Sequence, residues 1–201
     1  FNTTTKINEN FNNKLPPFYY INLDRSTNRN NTITKMFKKY NVNYKRIKAI
    51  DGKNEKEVFS ILKNVPENTN QNIIEFACTC SHLKAIKQAY DDGLQEVFIC
   101  EDDVIIDYFM NNLDKFYKIF NKKPTNIEII QLFSINNKIY YSKEISFIKW
   151  NRYHWSAVIY YINRKGMKKM VNKFYNGGKI VLPPNNINIR EFHTADHIIY
   201  Y

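Results

Sequence analysis

Four apolar residues, Val97 to Cys100, run without a break into three carboxylates, Glu101, Asp102 and Asp103. A run this short and this apolar suits a strand buried on both faces, and such strands sit in sheets covered by helices on each side. The rest of the chain repeats the theme. Phe18–Leu23, Tyr44–Ile50, Ile127–Phe133 and Ala157–Ile162 read as strands, with a weaker one at Ile145–Trp150. Helical spacing marks Asn30–Tyr40, where Ile33, Met36 and Phe37 share a face, and Ile73–Tyr90, where Ala77, Ser81, Ala85 and Ala89 form a small-residue stripe. A helix around Met110–Phe120 and another over Arg164–Phe174, opened by Asn163 as N-cap, complete the set. Lys53–Asn72 is polar and poorly periodic, apart from Val58, Phe59, Ile61 and Leu62. Residues 1–15 read as a flexible, Asn- and Thr-rich leader, and 16–201 as one domain. The alternation predicts an α/β fold with a mostly parallel, doubly wound sheet flanked by helices.

Composition narrows the function classes. With 201 residues, 43% of them hydrophobic and 15% aromatic, the chain is not disordered. No apolar run approaches the ~20 residues of a membrane span. Three cysteines cannot all pair within the chain, and free thiols fit a reducing, cytoplasmic-type compartment, with the endoplasmic reticulum or a virion as alternatives. No basic-then-apolar leader is visible at Phe1. The net charge of +11 raises a polyanion or nucleic-acid binding module. Its charges are scattered, however, and no helix-turn-helix, RNP or zinc-finger pattern is present. The abundance of Asn, Lys, Ile, Tyr and Phe reflects A/T-rich codons, which accounts for much of the surplus, so no nucleic-acid partner is expected.

The acidic triplet carries the chemistry. If strand geometry persists, Glu101 and Asp103 share one face and Asp102 takes the other. Carboxylates crowded at the end of a core strand repel each other unless a cation joins them, and Mg²⁺ or Mn²⁺ suits oxygen ligands. The plainer alternative is a solvated acidic turn. Ligands in open α/β sheets bind at the carboxyl ends of strands, which favours the site. Cys78 and His82 stand i, i+4 on one helix face, but Cys80 lies on another face and the C-x₂-C spacing of zinc sites is missing.

Six ordered motifs add a resemblance. Tyr20-Ile21-Asn22-Leu23-Asp24-Arg25, Ala49-Ile50-Asp51-Gly52, Ala77-Cys78-Thr79-Cys80-Ser81-His82-Leu83, Phe98-Ile99-Cys100-Glu101-Asp102-Asp103-Val104, Ser156 through Gly166, and Ala195-Asp196-His197 together resemble glycosyltransferase family 25. That family includes lipooligosaccharide and collagen galactosyltransferases. The resemblance implies a GT-A-type, Rossmann-like fold. It also implies inverting, metal-dependent transfer of galactose or glucose from a UDP-sugar donor to a hydroxyl of a glycan or hydroxylysine-type protein acceptor. Asn22, Asp24, Arg25, Arg29, Asp51, Gly52 and His82 would contact the donor. Glu101, Asp103 and His197 would hold Mn²⁺ or Mg²⁺, and Asp196 and Asp102 would be catalytic. Each has a plainer reading: an ion pair for Asp24 and Arg25, an Asp-Gly turn for Asp51, a structural histidine for His82. Trp150 and Trp155 are the sugar-stacking candidates. Two departures stand out. Trp155-Ser156 occupies the place where the family often has Gly before Ala157. Relatives usually continue past Asp196, so a lid or acceptor element would lie beyond Tyr201. A transferase relative that binds without catalysis is the remaining alternative.

Overall fold

The structure is a computed structural model that describes residues 15–64, 73–135, 147–151, 153–182 and 194–200. Five strands form the central sheet: β1 (Phe18–Asn22), β2 (Tyr44–Lys48), β3 (Glu96–Glu101), β4 (Ile129–Gln131) and β5 (Ile159–Asn163), in the order β2-β1-β3-β5-β4. β1 pairs parallel with both β2 and β3, while β5 runs antiparallel to β3 and to β4. Four strands therefore point one way and β5 alone is reversed. The sheet is mostly parallel, as an α/β chain with helical crossovers requires.

Helices α1 (Thr27–Lys39), α4 (Asp107–Asn111) and α5 (Leu113–Phe120) cover one face. Helices α2 (Glu55–Ile61), α3 (Ile73–Asp91), α6 (Arg164–Phe174) and α7 (Ala195–Tyr200) cover the other. The hairpin β6 (Tyr175–Asn176) and β7 (Lys179–Ile180) follows α6 and turns through Gly177 and Gly178, both at positive φ. Side-chain alternation assigns the core. Phe18, Tyr20, Phe98 and Cys100 face α1 and α5, where Phe18 stacks on Phe98 at 4.8 Å between centroids. Tyr19, Ile21, Val97 and Ile99 face α3. The small-residue stripe lets α3 lie close, so that Ala77, Ala85 and Ala89 are all buried.

Several elements differ from expectation. α1 starts earlier than Asn30, because its first turn, Thr27-Asn28-Arg29, carries no apolar residue to advertise it. The polar stretch after Gly52 contains α2, whose N-cap Asn54 accepts from the Glu57 N–H with Glu55 and Glu57 in the first turn. Met110–Phe120 is two short helices, with the break at Asn112. The strand expected over Ile127–Phe133 shrinks to three residues. Residues 147–150 form no strand, and 145–146 lie outside the described residues, as do residues 1–14 of the leader. Asn163 caps α6 as its side chain implies, accepting from the Gly166 N–H at 2.9 Å. No described helix is long and apolar enough to cross a membrane.

Candidate active site

The acidic triplet closes β3 at the carboxyl ends of the parallel strands. Glu101 is the last strand residue and follows the alternation to the α3 side. Asp102 follows it to the α1 side. The strand ends there, and Asp102-Asp103 is a turn. Asp103 consequently joins Asp102 instead of Glu101, which corrects the expected pairing. The Arg29 guanidinium reaches Asp102 Oδ1 at 3.1 Å and Asp103 Oδ2 at 3.3 Å. Arg29 comes from the unadvertised first turn of α1, and its positive charge bridges the two carboxylates.

Asp102 is buried, and the Asn22 Nδ2 donates to its second oxygen at 2.6 Å. Burial raises its pKa, while Asn22 and Arg29 pull the other way. Asp103 is 52% exposed and keeps oxygen lone pairs free for solvent or ligand. A cavity of about 580 Å³ opens beside these groups, lined by Arg29, Met36, Lys39, Asp102, Asp103 and Ile105 among others. Its size falls within the usual range for small-molecule sites.

The ends of β1 and β2 extend this polar surface. Asn22 accepts from Arg46 Nε at 2.8 Å, and Asp24 accepts from Arg46 at 2.7 Å and from Lys48 at 2.9 Å. Arg25 forms a two-point pair with Asp51 at 2.8 and 3.1 Å. That pair and the Lys53 N–H hold the Asp51 carboxyl down to about 2. The partner of Arg25 is thus Asp51, and that of Asp24 is Arg46 with Lys48. Gly52 serves packing: a Cβ there would lie 2.6 Å from the Ile74 Cα at the start of α3. Arg46 is the residue sequence reasoning missed. The sequence carries no mark of it, because its place depends on the parallel register, which sets Tyr20 beside Arg46 and Asn22 beside Lys48.

On the α3 side the surroundings change. His82 is buried, with Nδ1 3.2 Å from the Tyr160 hydroxyl and Nε2 3.3 Å from Glu101 Oε1. Burial pulls its pKa down, but Cys78 and Glu101 outweigh that and hold the imidazole up to about 9. His82 is therefore drawn to Glu101 of the acidic triplet. Asp196, in α7, accepts from the Ser156 N–H, and burial raises its pKa. It lines a second cavity of about 250 Å³ with Glu75, Cys78, Glu101, Ser156 and Thr194. His197 turns away, its Nδ1 3.0 Å from the Thr194 hydroxyl and its ring edge-on to Trp150. Glu101, Asp103 and His197 do not converge. Among the described residues, the group of three potential ligands that does is Cys78, His82 and Glu101, with ligand atoms within 4.8 Å of one another. Trp150 packs against Tyr200 and donates to the His154 carbonyl, whereas Trp155 is exposed.

Ser156 explains the sequence departure before Ala157. Its φ is 134°, in the region that favours glycine. Its side chain is retained there by accepting from the Val158 N–H at 3.2 Å, and its carbonyl accepts from Gln131 and Tyr200.

A Rossmann-like α/β sheet with clustered acids and arginines at its strand ends is the arrangement in which α/β proteins receive small polar ligands. The sequence profile of glycosyltransferase family 25, described as an LPS biosynthesis protein, matches residues 15–183. The chain belongs to that family and is a glycosyltransferase, acting between a sugar donor and an acceptor in glycan biosynthesis. No curated protein matches it.

Proposed function

We propose that the protein transfers a hexose, galactose or glucose, from a UDP-sugar to an acceptor hydroxyl on a glycan or protein, with inversion and with a divalent ion. The observation that carries this reading is the Arg29 guanidinium bridging Asp102 and Asp103 at the end of β3. It sets a cation beside Asp103, an exposed carboxylate bonded through one oxygen, at the position where α/β sheets receive phosphorylated ligands. The uridine would lie over the ends of β1 and β2, near Asn22, Asp24, Arg25 and Asp51, and Arg29 would donate to the diphosphate.

The fit of a hard ion is uneven across the expected ligands. Asp103, exposed and bonded through one oxygen, fits it, with Asp102 beside it. Glu101 and His197 are engaged elsewhere, by His82 and Thr194. One or two carboxylates with remaining positions left to water and phosphate is how Mg²⁺-type ions are commonly held. When bound, the ion offsets charge on the leaving diphosphate.

Asp196 is the proposed base. Its raised pKa makes it a better proton acceptor than an exposed carboxylate, and the Ser156 N–H fixes its orientation. It would take the proton of the acceptor hydroxyl as that oxygen bonds to the anomeric carbon and UDP departs. The test is a panel of UDP-sugars assayed for UDP release with Mn²⁺. Release from a UDP-hexose is expected, and release from none of the panel would overturn the reading.

A further inference from the structure

Beside Asp196, the α3 side of the acidic triplet holds three groups that the transferase reading does not use. Cys78 and His82 project from one face of α3, and Glu101 meets them from the end of β3. The His82 Nε2 and Glu101 Oε1 lie 3.3 Å apart. Two ligands each ~2.0–2.1 Å from a tetrahedral Zn²⁺ sit roughly 3.3–3.4 Å from one another. The second ring nitrogen of His82 is engaged by Tyr160, which is fully buried. A metal-binding histidine is ordinarily oriented by such a partner on its far nitrogen. Cys78 is exposed, and Cys78 and Glu101 line the 250 Å³ cavity, so an ion has a path in.

We propose that Cys78, His82 and Glu101 form a three-ligand site for a borderline transition metal, Zn²⁺ by preference, whose fourth position opens on the cavity that holds Asp196. Thiolate and imidazole ligands select such an ion over Mg²⁺ or Mn²⁺. The site is distinct from the hard-ion position at Asp103, and it stands whether or not the protein uses a UDP-sugar. The competing account is a metal-free ion pair between His82 and Glu101, with Cys78 a free thiol.

Co²⁺, a coloured substitute for Zn²⁺, tests this on the purified full chain. The wild type is expected to show a thiolate-to-cobalt charge-transfer band and tetrahedral visible bands, both displaced by Zn²⁺. Cys78→Ser should lose the charge-transfer band and bind at least ~10-fold more weakly, while Asp91→Asn, at the far end of α3 and paired with Lys87, binds as the wild type does. Because Cys80 and Cys100 are buried, alkylation by iodoacetamide reports on Cys78, and Zn²⁺ should slow it by at least ~10-fold in the wild type. This second measurement needs no variant to fold. No thiolate band together with unchanged alkylation would overturn the proposal in favour of the ion pair. Equal Co²⁺ affinity in Cys78→Ser would also overturn it.

Discussion

Two consecutive carboxylates, Glu101 at the end of β3 and Asp102 in the turn after it, enter opposite environments. On the α1 side, Asp102 and Asp103 meet Arg29 and Asn22, beside a large open cavity. On the α3 side, Glu101 meets a buried imidazole and a thiol, beside a smaller cavity with a base candidate in it. A one-residue step along a strand turns a side chain to the other face of the sheet. That step gives the first side oxygen donors and arginine, suited to phosphate and a hard cation. It gives the second nitrogen, sulfur and a basic carboxylate, suited to proton transfer and a softer metal.

The comparison breaks most visibly at Asp196. Asp196→Asn keeps the bond from the Ser156 N–H but removes the base, so transfer should fall by ~10²–10⁴-fold with UDP binding unchanged. A transfer rate within a few-fold of the wild type would take Asp196 out of the reaction. In the wild type, the acidic limb of the rate profile should lie at higher pH than an exposed aspartate would give, since burial raises this group.

A smaller effect sharpens the α3 side. Ser156→Gly relieves a backbone conformation that costs ~1–3 kcal/mol in a non-glycine residue, set against the lost hydroxyl bond to Val158. The variant should be more stable by about 1 kcal/mol, raising the melting midpoint by ~2–4 °C. A lower midpoint would show that the hydroxyl matters more than the strain.

The least effect belongs to the exposed Arg25–Asp51 pair. The folded Asp51 pKa is depressed to about 2, so its contribution is complete above about pH 4 and is lost as pH falls toward 2. Arg25→Gln should flatten that segment of an acid-unfolding curve and leave neutral stability nearly unchanged. A large loss at neutral pH would mean that Arg25 holds more than Asp51.

The sheet was legible because buried strands are short uninterrupted apolar runs, and β1, β3 and β5 are of that kind. The reversal of β5 was not, since an apolar run carries no sign of strand direction. α2 hid in a polar stretch, although Asn54 followed by Glu55 and Glu57 is a readable helix start. Glu101 to Asp103 stood out in the sequence as a chemical cluster, but its division did not. That depends on where β3 stops and on Arg29 arriving from a helix turn without apolar residues. The meeting of Cys78, His82 and Glu101 depends on α3 packing across β3, a tertiary fact that i, i+4 spacing only half announces.

The most direct measurement is calorimetric titration of UDP into the wild type and Asp103→Asn, each with and without Mn²⁺. The account predicts that Mn²⁺ tightens UDP binding to the wild type by at least ~10-fold and does little for Asp103→Asn. The same UDP affinity with and without Mn²⁺ in the wild type would contradict a metal-assisted donor site at the end of β3.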